Sequence, residues 1–253
     1  MKRLIALGDT HAPFQDQGFI DGICAYLEDT WVDSLVHVGD LLDFEPISKF
    51  VAGLPGLAEG KRLETEFTQG RAILNQLATA ARTRNPKCGI TLIEGNHEAR
   101  LDKYLMANPE LIGLISLPDL LGLNKLNATF VPFDTKGKVY NPHPDLIFTH
   151  GITACKYHAE KHVTRYLTSH FYGHTHDTQR HPLAVYGESK ILVGQALGCS
   201  CGLSPAYIKG RPSNWQHAFG IFYLYPAGGG FQDQLITASP KRKFIAEGTE
   251  YSY

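Results

Sequence analysis

Five short polar clusters along the chain combine residue types that can hold divalent cations. They are Asp9 with His11, Asp40 with Asp43, Asn96 with His97, His150, and His174 with His176. Carboxylates, imidazoles and one amide make a mixed nitrogen and oxygen donor set. Such a set suits borderline ions, Mn²⁺, Fe²⁺, Co²⁺ or Zn²⁺, better than Mg²⁺ or Ca²⁺ alone. The donors outnumber what one ion takes, so two ions sharing a carboxylate, typically ~3.5–4 Å apart, account for them best. Taken singly, each cluster has a plainer reading. Asp9 and Asp40 could cap a helix or turn, and the histidines could be surface residues beside turns.

Each cluster follows an apolar run that reads as a short buried strand. Leu4 to Leu7 precedes Gly8-Asp9-Thr10-His11, and Ser34 to Val38 precedes Gly39-Asp40-Leu41-Leu42-Asp43. Cys88 to Ile93 precedes Glu94-Gly95-Asn96-His97-Glu98. Asp145 to Thr149 leads into His150-Gly151, and Leu167 to Phe171 into Tyr172-Gly173-His174-Thr175-His176. His174 and His176, two apart on extended backbone, project the same way. Between the first strands, Asp16 to Leu27 has loosely helical spacing. Leu63, Phe67, Leu74 and Leu77 form one face of a long amphipathic helix ending near Arg84-Asn85-Pro86. Strands alternating with helices predict parallel βαβ units in a layered α/β fold. Ligand sites in open α/β sheets form outside the carboxyl ends of strands, so these distant side chains should converge on one sheet edge.

Other stretches carry weaker expectations. Residues 44–60, rich in Pro and Gly, read as a loop or lid with Phe44 and Phe50 exposed. Arg100 to Met106 is helix-prone, and Leu111 to Leu123 suggests short helices capping one end. Thr129 to Pro132 and Ile191 to Val193 suggest further strands. Residues 156–166 predict a basic helix with His158 and His162 on one face. That face could be solvated, bind a metal, or touch an anionic substrate. His217 to Tyr225 and Phe231 to Ile236 predict a hairpin that completes a second sheet, with a surface tail from Ser239. With no internal repeat or linker, residues 1–253 are expected to form one domain.

Composition narrows the function classes. Hydrophobic residues are 43% and charged residues 19%, enough apolar content for a packed core. A net charge of −1 lacks the basic excess of a nonspecific DNA clamp. Five cysteines without framework spacing argue against a disulfide scaffold. Cys199-Ser200-Cys201 could bind a soft metal, but no second pair accompanies it, and ordinary buried thiols are the plainer reading. The N-terminal apolar run stops at Gly8, too short for a signal peptide, and no run approaches a membrane span. A cytoplasmic location without membrane association is the expectation.

The motifs Asp9-x-His11, Gly39-Asp40-x-x-Asp43, Gly95-Asn96-His97-Glu98, His150-Gly151 and Gly173-His174-x-His176 occur in the order found in calcineurin-like metallophosphoesterases. The chain resembles that superfamily across residues 8–176. The resemblance implies a four-layer α/β/β/α sandwich with two central mixed sheets and two metals at the strand ends. It implies that Asp9, His11 and His176 hold one metal, that Asn96, His150 and His174 hold the other, and that Asp40 bridges them. It further implies in-line attack on phosphorus by a metal-bridging hydroxide, with His97 facing the substrate and Asp43 orienting His97. Mn²⁺ is the expected ion, and a phosphoester is the expected partner, a nucleotide or single-stranded nucleic acid included.

The subfamily is less uniform. Protein Ser/Thr phosphatases carry an Arg directly after the second Asp, where this chain has Phe44, and a Gly where it has Ala12. Arg100, after Gly95-Asn96-His97-Glu98, leans back toward them as a bidentate phosphate grip. Asp40-Leu41-Leu42-Asp43 with Pro46 is similar to double-strand-break nucleases, whose extra DNA-binding domain has no room here. The layout looks most like compact phage and bacterial phosphoesterases. Phosphodiester hydrolysis is therefore the leading expectation. A phosphomonoesterase or protein phosphatase, and a metal-binding scaffold without turnover, are the alternatives.

Overall fold

A computed structural model describes all residues except 50, 52–53, 134–138, 188–189, 206–209 and 227. The first sheet begins with β1 (Lys2–Leu7), β2 (Ser34–His37), β3 (Gly89–Ile93) and β4 (Ala128–Val131), parallel neighbours in that order. The second sheet contains β5 (Tyr140–His143), β6 (Leu146–Thr149), β7 (Ser169–Tyr172), β8 (Arg180–Ala184) and β9 (Ile191–Ala196), in the order β5-β6-β7-β9-β8. Then come β10 (Ala218–Leu224) and β11 (Phe231–Thr237), which pair antiparallel as the predicted hairpin. That hairpin joins the first sheet rather than the second, because β10 runs antiparallel against β1, with Ile5 opposite Ile221. Both sheets are mixed.

Alternation along the strands builds two cores. Leu4, Ala6, Val36, Val38 and Phe222 of the first sheet face Leu146, Phe148 and Phe171 of the second. The intervening residues Ile5, Leu7, Leu35, Leu92 and Ile221 point the other way. They meet helices α1 (Gln17–Asp29) and α2 (Leu63–Arg82), which bury Phe19, Ile20, Ile23, Leu74 and Leu77. Burying each such side chain is worth roughly 1.5–3 kcal/mol before entropy is counted. Asp16 starts α1 by accepting the Phe19 N–H at 3.0 Å. Helices α3 (Ala99–Ala107) and α4 (Leu117–Leu121) follow β3, and α4 buries Leu117 and Leu121. Helix α5 (His158–Tyr166) covers the outer face of the second sheet. The layers run helix, sheet, sheet, helix, as in the expected sandwich.

Three further expectations need correction. Phe44 is fully buried, its ring set edge-on to Phe67 with centroids 5.5 Å apart, while Phe50 lies outside the described residues. His158 and His162 do not form a solvated face or a ligand pair. His158 bonds Tyr172 Oη at 2.7 Å and Asp177 at 3.0 Å, and His162 stacks on Tyr172 at 3.7 Å. The basic residues of α5 occupy its other face, so composition alone misassigned this one. The chain after Ser239 is not a loose tail. It forms a hairpin of β12 (Lys243–Ala246) and β13 (Thr249–Ser252), burying Phe244 and Ala246 beside α1. β5 and β8 escaped sequence reading because both are short and each carries a proline, which breaks the strand pattern.

Candidate metal centre

All five polar clusters meet beyond the carboxyl ends of β1, β2, β3, β6 and β7. The backbone there is unusual. Asp9, His11, Asp40, His174 and His176 all have positive φ, between 50° and 75°. Non-glycine residues seldom adopt that left-handed region, and strained backbone concentrates at functional sites. Two glycines permit the close approach. A Cβ at Gly95 would lie 2.1 Å from Asp40 Oδ1, and one at Gly173 would lie 2.3 Å from Asp9 Oδ2.

Asp40 Oδ2 lies at the middle. His150 Nε2 is 3.2 Å from it, His11 Nε2 3.6 Å and His97 Nε2 3.9 Å. On one side, His176 Nε2 is 3.2 Å from Asp9 Oδ1 and 3.1 Å from His11 Nε2. On the other, Asn96 Oδ1 is 3.0 Å from His150 Nε2, and the His150 and His174 rings lie 5.2 Å apart. Asp9, His11 and His176 offer ligand atoms within 4.8 Å of one another, as do Asp40, His150 and His174. Asp9, in turn, accepts the His174 N–H at 2.9 Å.

The donor set fits divalent metal ions. His150 Nδ1 lies 3.0 Å from the Val38 carbonyl, and His11 Nδ1 lies 2.9 Å from the Asp43 carboxylate. Each ring can donate through Nδ1, which directs the Nε2 lone pair at the centre, the usual arrangement behind a metal-ligating imidazole. Without ions, burial opposes charge on these rings. Asp40 nevertheless raises His150 to about 9, and Asp9 raises His176 to about 10. Burial and the neighbouring His150 push His174 down to about 4. Protons thus balance the carboxylates where cations would, so metal binding should release protons and weaken in acid.

Asp43 and His97 stand beside this cluster and touch each other. The Asp43 carboxylate sits nearer His11 than His97, at 2.9 and 3.3 Å. His97 Nδ1 meets the Asp43 carbonyl oxygen at 2.7 Å. Arg100 is no free surface residue. Its Nη1 donates to the same carbonyl at 2.7 Å, and its Nη2 lies 2.9 Å from His97 Nε2.

Glu98 closes the Gly95-Asn96-His97-Glu98 motif. Fully buried, its carboxylate accepts the N–H groups of Leu42 at 2.7 Å, Gly95 at 2.9 Å and Asp40 at 3.0 Å. One side chain thereby ties the loop after β2 to the loop after β3. Gln at this position would turn an amide N–H₂ toward a backbone donor. Glu98→Gln is expected to destabilise the protein by about 2–3 kcal/mol and weaken metal binding about 10–100-fold. Thermal unfolding and metal titration would measure both.

No family model matches the sequence. The Gene 54 protein of Mycobacterium phage D29 is 27% identical over 234 residues, covering 87% of this chain and 88% of that protein. The Gene 54 protein of Mycobacterium phage L5 is 27% identical over 237 residues, with the same coverage. Among solved structures, Vps29 of Chaetomium thermophilum superposes with a TM-score of 0.53 at 10% identity, over 100% of this chain and 99% of that one. The likeness is one of fold, and that fold is the calcineurin-like metallophosphoesterase sandwich. The chain is thus a compact protein of that fold with phage relatives.

Proposed function

We propose that the chain is a dinuclear-metal-dependent phosphoester hydrolase that favours diesters. The observation that carries this reading is the buried Asp40 Oδ2, which has the Nε2 atoms of His11 and His150 on either hand. Asp9, His11 and His176 would hold one ion, Asn96, His150 and His174 the other, and Asp40 both. When bound, the ions neutralise phosphate oxygens and acidify a water.

The chain's own residues supply the rest. Burial opposes the charged form of His97, but Asp40 and Asp43 outweigh it and raise the pKa above the ordinary imidazole value. A guanidinium can only donate, so Arg100 at Nε2 implies a lone pair there while that contact lasts. A phosphate drawing Arg100 onto its own oxygens would free Nε2 to carry a proton to the leaving oxygen. Diester preference is favoured because Phe44 stands where a phosphate-gripping Arg would and points into the core. Arg100 keeps the monoester reading in play.

The test is Mn²⁺-dependent hydrolysis of bis-p-nitrophenyl phosphate beside p-nitrophenyl phosphate. A higher kcat/KM on the diester is expected. Monoester preference would assign Arg100 as a phosphate clamp. Full metal loading with no turnover of either ester would favour the scaffold.

A further inference from the structure

His176 presents two ring nitrogens to two different surroundings. Nε2 faces Asp9 and His11, as described above. Nδ1 is buried and makes no hydrogen bond of good geometry among the described residues, while the Cys201 thiol acts on the same ring. This sets it apart from His11 and His150, whose Nδ1 atoms are satisfied by a carboxylate and a carbonyl. An imidazole nitrogen without a well-formed hydrogen bond in a site this dry needs an explanation. Beside the ring lie Cys199 and Cys201. His176 and the two thiols offer ligand atoms within 4.8 Å of one another, and the three residues are only 6%, 0% and 3% exposed.

The thiols are held there by backbone bonds. Cys199 N donates to Gln216 O at 2.9 Å, Ser200 N to Asp9 O at 3.1 Å, and Gln216 N to His176 O at 2.9 Å. The segment is therefore pinned to both Asp9 and His176. Spaced two apart, Cys199 and Cys201 can turn their sulfurs to one side. Trp215 packs against the same imidazole, the ring centroids 4.1 Å apart and the planes 67° to each other.

We propose that His176, Cys199 and Cys201 form a further cation site, taking a soft divalent ion such as Zn²⁺ on the side of the His176 ring away from Asp9. Two thiolates cancel the charge of a divalent ion, so the occupied site can be buried without a net charge. Sulfur and imidazole donors this close match a centre with Zn–S near ~2.3 Å and Zn–N near ~2.0–2.1 Å. Loading displaces the two thiol protons. With Nε2 engaged by an ion on the Asp9 side, the Nδ1 proton would leave as well, and the ring would bridge the two sites as an imidazolate whose negative charge both cations share. In the ion-free chain, Cys199 Sγ donates to Gln216 O at 3.6 Å, a contact that loading would break.

The test reads sulfur ligation rather than turnover, so its outcome is independent of the proposed hydrolysis. The reduced, metal-free full chain is titrated with Co²⁺ alone. A near-ultraviolet thiolate-to-cobalt charge-transfer band is expected, and Cys199→Ser and Cys201→Ser should each lose it. The carboxylate and histidine centre contains no sulfur and gives no such band. Zinc X-ray absorption of the loaded wild-type chain provides a check that needs no variant, and should show sulfur scatterers near ~2.3 Å beside the nitrogen and oxygen shell of the other ions. No band and no sulfur around zinc would overturn the proposal, leaving the cysteines as a hydrogen-bonded thiol pair.

Discussion

Replacing Asp40 by Asn should reduce the metal content from two ions per chain to one or none, and lower turnover by at least about 10²-fold. The substitution keeps the shape and removes one charge. Asp40 is the only carboxylate among the described residues whose oxygen reaches ring nitrogens from both halves of the centre, at 3.2 Å from His150 and 3.6 Å from His11. A neutral amide there cannot offset two cations. Its loss should also be visible without metal. Burial disfavours a charged His150, and Asp40 raises it to about 9 all the same. A raised histidine contributes stability in full below its ordinary pKa and loses it as pH rises through about 9. The ion-free wild type should therefore lose stability over that window, whereas Asp40→Asn should start lower and stay flatter. Breaking a buried pair typically costs about 3–5 kcal/mol. Metal analysis with thermal unfolding across pH would check both parts. Two retained ions would remove Asp40 from the bridging position.

Much of this centre was legible in sequence for a simple physical reason. The ends of these short strands, Leu4–Leu7 of β1 and Leu146–Phe148 of β6, are buried and apolar, so the polar residues that follow mark the exit. Asp9, Asp40, Asn96, His150 and His174 all stand at such exits, and parallel neighbours align their exits on one edge. The left-handed backbone at Asp9, His11, Asp40, His174 and His176 was not legible, because no residue type there announces it. Nor was the pairing of β10 with β1, a contact between the two ends of the chain that local pattern cannot encode. The α5 histidines misled because Lys156, Lys161 and Arg165 dominate the composition while His158 and His162 face the sheet. Cys199 and Cys201 looked like a pair without partners because His176, their neighbour in space, belonged to another motif.

His97→Ala should retain both ions and lose about 10²–10⁴-fold in kcat, the usual worth of general acid help. His97 stands at the more exposed rim of the ligand set, within 4.8 Å of ligand atoms on His11 and Asp40. Its side chain is 19% exposed where that of Asp40 is 2%, and its Nε2 is 3.9 Å from Asp40 Oδ2. Its Nδ1 is fixed by the Asp43 carbonyl, so the ring presents Nε2 outward, toward Arg100 and any arriving ester. Removing the ring leaves Asp9, Asp40, His150 and His176 in place, which is why occupancy should survive. The leaving group then distinguishes two ways of helping. Proton donation matters most when the departing oxygen is basic, so a diester with an alkyl leaving group should suffer more than one releasing p-nitrophenol. A uniform loss across leaving groups would instead assign His97 to stabilising charge on the phosphate. An unchanged kcat would remove it from the chemistry and return Asp43 and Arg100 to purely structural roles around an empty position.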